Sequence, residues 1–294
     1  MIPASILFLV VLSFISSSWG DTIKVNTTSD GYLYLGAPTT VNSTGYYLDV
    51  GLYGTPGNHY SIAYAKFDTD LSFLEGAQKI YLALNLRNFV APVFGNGPTA
   101  QYTRLDYPTS GGYFTLKAVP LTSSFPESGV NATWVRDNLI SPAAAGTVVL
   151  QNSGYYYMDI TSAVNNWIAN PTSERVLGFV GIGSTPNTWS LNLGTKENNQ
   201  DLDGTILSAA TPMYLFAPPA PVAQSCSVSG NQLVMIFETV PNISYTLKTK
   251  SNLSDRDWVT VDSPFVAGPT STTTLTVPMT DSPGRGFYRL EITQ

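Results

Sequence analysis

The chain has 294 residues, a formal net charge of −6, 12% charged residues, one histidine (His59) and one cysteine (Cys226). Imidazole-driven proton transfer and base-assisted nucleophilic attack are therefore short of groups, because each needs a titrating partner beside the reacting one. The lack of any basic run argues against nucleic acid and anionic membrane surfaces as partners.

Residues 1–20 read as an export leader. Residues 6–12 are apolar without a break, and Ser18 and Gly20 set small residues at −3 and −1 of a cleavage site before Asp21. We expect a secreted or surface-held protein with no membrane insertion once the leader is gone. About 270 residues then remain, enough for two domains with a core each. Cys226 has no partner for an intramolecular disulfide and is expected as a buried, inert thiol. Pro218, Pro219 and Pro221 crowd one short stretch and favour an extended linker. We place one domain at 21–217, the linker at 218–223 and a second domain at 224–294.

The first domain reads as strands. Period-two alternation marks residues 22–25, 80–86 and 112–119, and further apolar runs lie at 148–150, 155–158 and 176–180. Gly, Pro and Asn clusters at 55–58, 95–98 and 110–112 separate them as turns. One segment has helical spacing instead: Ala163, Val164, Trp167 and Ile168 share a stripe, with Thr161 placed to cap it. In the second domain, residues 231–237, 244–249, 258–261, 274–277 and 287–292 alternate as strands. So many strands in about 70 residues indicate a small β-sandwich of immunoglobulin or fibronectin type. The fold class expected is all-β throughout.

Several phrases carry a family resemblance. They are Asp30-Gly31-Tyr32-Leu33-Tyr34-Leu35-Gly36-Ala37-Pro38, Tyr64-Ala65-Lys66-Phe67-Asp68, Thr133-Trp134, the step from Tyr157-Met158-Asp159 to Asn166-Trp167, and Lys196-Glu197-Asn198. In order and spacing the first domain resembles the DNRLRE family of disaggregatase-related modules, which are grouped with carbohydrate-binding modules. The resemblance implies a jelly-roll β-sandwich and polysaccharide as a ligand, and it assigns Trp134 and Trp167 to the core. The second domain is similar to small C-terminal sandwiches of exported bacterial proteins, through Tyr245-Thr246-Leu247, Leu253, Trp258 and Phe287-Tyr288-Arg289-Leu290. That likeness implies a spacer or an assembly module.

Four candidate sites follow. Sugar rings stack on aromatic faces, so Tyr47, Tyr53, His59, Tyr60, Tyr102, Tyr107 and Trp189, in or beside loop-like stretches, form a candidate glycan-binding set. Asn199, Asp201 and Asp203 precede Gly204 with alternate oxygen ligands, like the first half of a calcium loop, although Ala210 stands where the loop's last acidic ligand belongs. Structural calcium is the single cofactor this pattern admits. Asp106, Glu127, Asp137, Asp159, Glu174 and Glu197 could supply a carboxylate pair, but no spacing brings two together, and Asp68 and Asp159 fit capping roles better. Residues Thr22, Ile23, Lys24 and Val25 would form a free, β-competent terminus after leader cleavage, a candidate donor strand for a neighbour's sheet. Asn26, Asn42, Asn131, Asn242 and Asn252 are candidate N-glycosylation sites. We expect a non-enzymatic structural or adhesive protein, with copies of itself as partner in a filament. The alternative is a stand-alone polysaccharide-binding protein.

Overall fold

The computed structural model describes residues 24–35, 41–42, 48–52, 59–94, 101–105, 112–123, 125, 130–184, 190–195, 212–268, 270–279 and 286–293. The chain divides into two compact units, Ile23–Ala217 and the segment from Pro218 on. Both are built of antiparallel strands, so the all-β expectation holds.

The first unit opens with β1 (Lys24–Asn26), β2 (Ser29–Tyr34), β3 (Val41–Asn42), β4 (Leu48–Leu52) and β5 (His59–Lys66). A long strand follows, β6 (Tyr81–Phe94), then β7 (Gln101–Leu105) and β8 (Phe114–Leu121). After a short helix, α1 (Ala132–Val135), come β9 (Gly146–Leu150), β10 (Gly154–Asp159), helix α2 (Thr161–Ala169), β11 (Val176–Ser184), β12 (Ser190–Leu193) and β13 (Tyr214–Phe216). Strand β6 is the hub. Tyr81 pairs with both Asp159 of β10 and Phe216 of β13, while Phe89 pairs with both Leu105 of β7 and Leu191 of β12. Strand β5 pairs with β2, β4 and β11, and β11 leads through β8 to β9.

The main core gathers Leu82, Leu84 and Leu86 of β6 with Phe67, Phe114, Phe179 and Trp167. Helix α2 supplies Ala163, Val164 and Trp167 to it, as the helical spacing predicts. Its cap differs from the expectation. Ile160 stands at the N-cap without a side-chain bond, and Thr161 is already helical. Asp159 does the work instead, accepting from the Thr161 backbone amide at 3.0 Å and from the Thr161 hydroxyl at 2.6 Å.

A second apolar cluster lies under α1 and the π-helical turn Arg136–Ile140 that continues it. There Val130, Val135 and Leu139 meet Leu33, Ile62, Val119, Leu121, Val176 and Val180. Asn131 caps this helix, its side-chain oxygen accepting from the Trp134 amide at 2.9 Å. Trp134 is half-buried against this cluster and Trp167 is fully inside the main core. Lys117 of β8 is 7% exposed, and its ammonium donates to the Ile140 and Pro142 carbonyls at 2.6 Å each. It thereby satisfies carbonyls that the helix end leaves without partners.

The second unit has β14 (Val222–Ser229), β15 (Gln232–Glu238), β16 (Ser244–Lys250), β17 (Val259–Thr260), β18 (Phe265–Val266), β19 (Thr272–Pro278) and β20 (Phe287–Thr293). They form a three-stranded sheet, β14-β15-β19, and a four-stranded one in which β16 pairs with β17, β18 and β20. Strand β14 starts inside the stretch read as linker, because Val222, beyond the last proline, already pairs with Glu238. Leu233, Met235, Phe237, Tyr245, Leu247, Leu290 and Ile292 are buried in this unit.

Gly146 opens β9 against the end of β10. A Cβ at this position would lie 2.5 Å from the Asp159 carbonyl oxygen and 2.6 Å from Met158 Cγ. The first obstacle is backbone and cannot swing away. Gly146→Ala should lower stability by about 1–3 kcal/mol, the usual cost of overpacking. It would appear as a lower urea midpoint at an unchanged m-value; a midpoint equal to the parent's contradicts this packing.

Candidate functional site

One row of residues crosses five strands. Ser61 of β5 faces Gly51 of β4, Gly51 faces Ser190 of β12, Ser190 faces Val90 of β6, and Val90 faces Arg104 of β7, while Leu52 and His59 pair at the next position past a register shift. The aromatic candidates adjoin this row along the chain. Tyr53 follows β4, His59 and Tyr60 begin β5, Trp189 precedes β12, and Tyr102 pairs with Pro92 beyond the row. Tyr47, Tyr53, Tyr107 and Trp189 lie outside the described residues, and His59, Tyr60 and Tyr102 are described by their backbone alone.

Next to it lies a second, polar row that the sequence reading missed. Asp49 of β4 faces Asn192 of β12, and Asn192 faces Asn88 of β6. Asp49 is 4% exposed, Asn192 2% and Asn88 7%. The Ser61 hydroxyl donates to Asp49 Oδ2 at 2.6 Å, and Asn192 Nδ2 donates to Asp49 Oδ1 at 3.0 Å. Asn88 Oδ1 and Asn192 Oδ1 are both buried with no hydrogen-bond partner. For Asp49 and Asn192 the sequence signal is a polar residue between leucine or valine neighbours, which by period-two logic reads as an outward position.

The described carboxylates named above each meet a cation. Lys66 holds Asp68 at 3.2 Å and Glu174 at 3.5 Å beside a shallow surface cavity that Arg175 also lines. The hydrogen bond to Asp68 pushes the Lys66 pKa up, against a smaller effect of burial. Asp137 pairs with Arg136 on the surface and Asp159 with Lys79, both at 2.7 Å. Asp106, Glu127 and Glu197 lie outside the described residues, as do the loop candidates Asn199, Asp201 and Asp203. Among the described residues no group of three or more His, Cys, Asp or Glu side chains is placed to share a metal ion.

Two residues of the candidate donor strand are seated in their own unit. Lys24 and Val25 pair with Phe216 and Leu215 of β13 in their own unit, and Val25 is 3% exposed in the core. The Lys24 ammonium sits 4.7 Å above the Tyr214 ring. Burial of Val25 and completion of the β13 ladder both favour this placement. Thr22 and Ile23 lie outside the described residues, as does the leader 1–20. No described helix is long and apolar enough to cross a membrane. Asn26, Asn131, Asn242 and Asn252 are exposed, and Asn42 is described by its backbone alone. Cys226 is half-buried rather than buried, and desolvation pushes its thiol pKa up.

The second unit leaves an edge. Among the described residues β20 pairs with β16 alone. On β14, Cys226 faces Met235 and Val228 faces Leu233. Opposed residues of an antiparallel pair project to the same side of a sheet. Leu233 is 5% exposed and Met235 fully buried, yet Val228 on the same side is 47% exposed.

No protein-family model and no curated protein matches this chain.

Asp159 provides a pH test. Burial alone would raise its pKa, but the Lys79 ion pair and the Thr161 hydrogen bonds outweigh burial and hold it below the ordinary carboxylate value. A depressed folded-state pKa contributes stability above the unfolded value near about 4, lost as pH falls through the folded-state value. Asp159→Asn should therefore lower stability at pH 7 and flatten its decline below about pH 4. Parallel stability curves for variant and parent across that window would contradict this role.

Proposed function

We propose that this chain is an exported, non-enzymatic structural or adhesive protein whose copies join through β-sheet edges. The observation behind this is the core-facing Val228 left half open on β14, in a unit whose β20 edge has no described neighbour. In the proposal, a strand from a second copy adds along β20 and covers the β14 column. Main-chain hydrogen bonds supply affinity and alternate side chains supply register. Contacts of this head-to-tail type that do not close on themselves build filaments. The leader-like residues 1–20 support export, and the pairing of Asp68, Asp137, Asp159 and Glu174 with lysine or arginine supports a non-catalytic role. With β1 seated in its own sheet, the donor is either an edge strand of the neighbour or β1 exchanged between copies.

A second reading has its own observation. The ladder gathers the backbone positions next to Tyr53, His59, Tyr60, Trp189 and Tyr102 near one row of five strands. Together with the resemblance to carbohydrate-binding modules, this supports polysaccharide binding through aromatic stacking.

Val228→Lys separates the two. The site is already 47% exposed, so the substitution leaves the fold intact, while a strand added there would have to bury the charge. Negative-stain microscopy and light scattering of residues 21–294 at rising concentration should show polymers for the parent. The variant should need roughly tenfold more protein to assemble, at an unchanged circular dichroism spectrum. Monodisperse parent protein at every concentration contradicts assembly; binding on a glycan array in that case supports the second reading.

A further inference from the structure

We propose that the outer face of strands β10, β6, β13 and β1 is a polysaccharide-binding platform built on Tyr155, Tyr157, Tyr214 and Phe216. It deepens the second reading above, on which its class of ligand rests, and moves the site from the loop aromatics to a sheet face. Leu82, Leu84 and Leu86 of β6 enter the core, so Tyr81, Ala83 and Asn85 between them point the other way. Opposed residues of antiparallel strands share a side of the sheet. Tyr157, Ala83, Tyr214 and Asn26 therefore form one row on this outer face, and Asp159, Tyr81, Phe216 and Lys24 form the next. Tyr155 opposes Asn85 one row further on.

The side of an antiparallel sheet turned from the core ordinarily carries polar residues. This one carries rings in contact. The Phe216 ring meets Tyr157 at 5.2 Å and 67°, Tyr214 at 5.7 Å and 52°, and Tyr81 at 6.0 Å and 33°. Ala83 is too small to hold its neighbours apart, and the Tyr157 and Tyr214 hydroxyls hydrogen-bond to each other across it. Desolvation pushes both phenol pKa values up, so both stay neutral near pH 7. Tyr157 and Tyr214 are half-buried, and Tyr155 at the rim is 42% exposed.

The chemistry of the face selects the ligand. Sugar rings offer C–H faces that stack on aromatic rings, and hydroxyls that need donors and acceptors alongside. Here the rings come with phenol hydroxyls and with the amides of Asn85 and Asn26. Tyr155 and Tyr157 lie about 7 Å apart along β10, which gives a chain-like ligand successive ring contacts. None of the residues that these strands pair on this face is Leu, Ile, Val or Met. It thus has rings and hydrogen-bonding tips but no aliphatic patch for a protein partner. The Lys24 ammonium, 4.7 Å above the Tyr214 ring, closes the far rim.

The experiment runs residues 21–294 on native gels cast with laminarin, xylan or alginate, beside a polysaccharide-free gel. Retardation against polysaccharide concentration gives a dissociation constant. We expect retardation by at least one of the three. Tyr155→Ala should weaken it at least tenfold, and Tyr214→Phe, which removes only the bridging hydroxyl, should weaken it less. Tyr155 is already 42% exposed, so its truncation empties no core, and an unchanged circular dichroism spectrum checks the fold. The joint change Tyr53→Ala and Trp189→Ala tests the loops and should cost less than Tyr155→Ala. Retardation lost in that loop variant but parental in Tyr155→Ala overturns the platform and leaves the second reading standing. Parent protein retarded by none of the three overturns both. Parental retardation with impaired self-assembly in Tyr155→Ala makes the face a contact between copies, and overturns the platform as well.

Discussion

The first unit depends on β6 having a partner strand on both edges along most of its length. Its fourteen residues carry β10 and then β7 on one side, β13 and then β12 on the other. A strand so placed cannot turn its main chain to water, and Tyr81 to Leu84 are buried on both faces. Where its sequence departs from apolar alternation, at Leu86-Arg87-Asn88, the β12 ladder slips by one residue, pairing Leu193 with Leu86 but Asn192 with Asn88. Such bulges re-aim side chains. Here the slip brings Asn88 level with Asn192 and creates the polar row.

Much of this framework is legible in the sequence because it rests on local periodicity. Strands β8 to β11 and β15, β16, β19 and β20 fall within a few residues of their alternating segments. Helix α2 follows from the stripe of Ala163, Val164 and Trp167. Strand β6 runs further than its alternation at 80–86, since Asn85, Arg87, Asn88 and Pro92 interrupt the pattern without ending the strand. Pairing from both sides carries it past them, with a second slip next to Pro92 where the proline has no amide to offer. Helix α1 escaped notice because its apolar residues serve a small satellite cluster rather than the main core, although Asn131 was available as a cap.

What was not legible depends on which faces are covered. Asp49 between Leu48 and Val50 looks like an ordinary outward residue until both faces of β4 are found buried. Val228 looks like a core residue until the face it shares with Leu233 is found open at β14. The two deviations are opposite in sign: a polar group where water is excluded, and an apolar group where water is admitted. The second is the deviation on which the proposed addition of a neighbouring strand rests. Neither involves a reacting group, in keeping with a chain that has few titrating side chains near neutral pH.

The central claim is that the second unit offers a sheet edge to a neighbouring copy. Amide hydrogen exchange read peptide by peptide at dilute and high concentration tests it most directly, since exchange reports local main-chain pairing. The account predicts that residues 287–293 of β20 and 222–229 of β14 gain protection as concentration rises, while β6 stays equally protected throughout. Exchange in β20 and β14 that is identical at all concentrations, while larger species form, would contradict it.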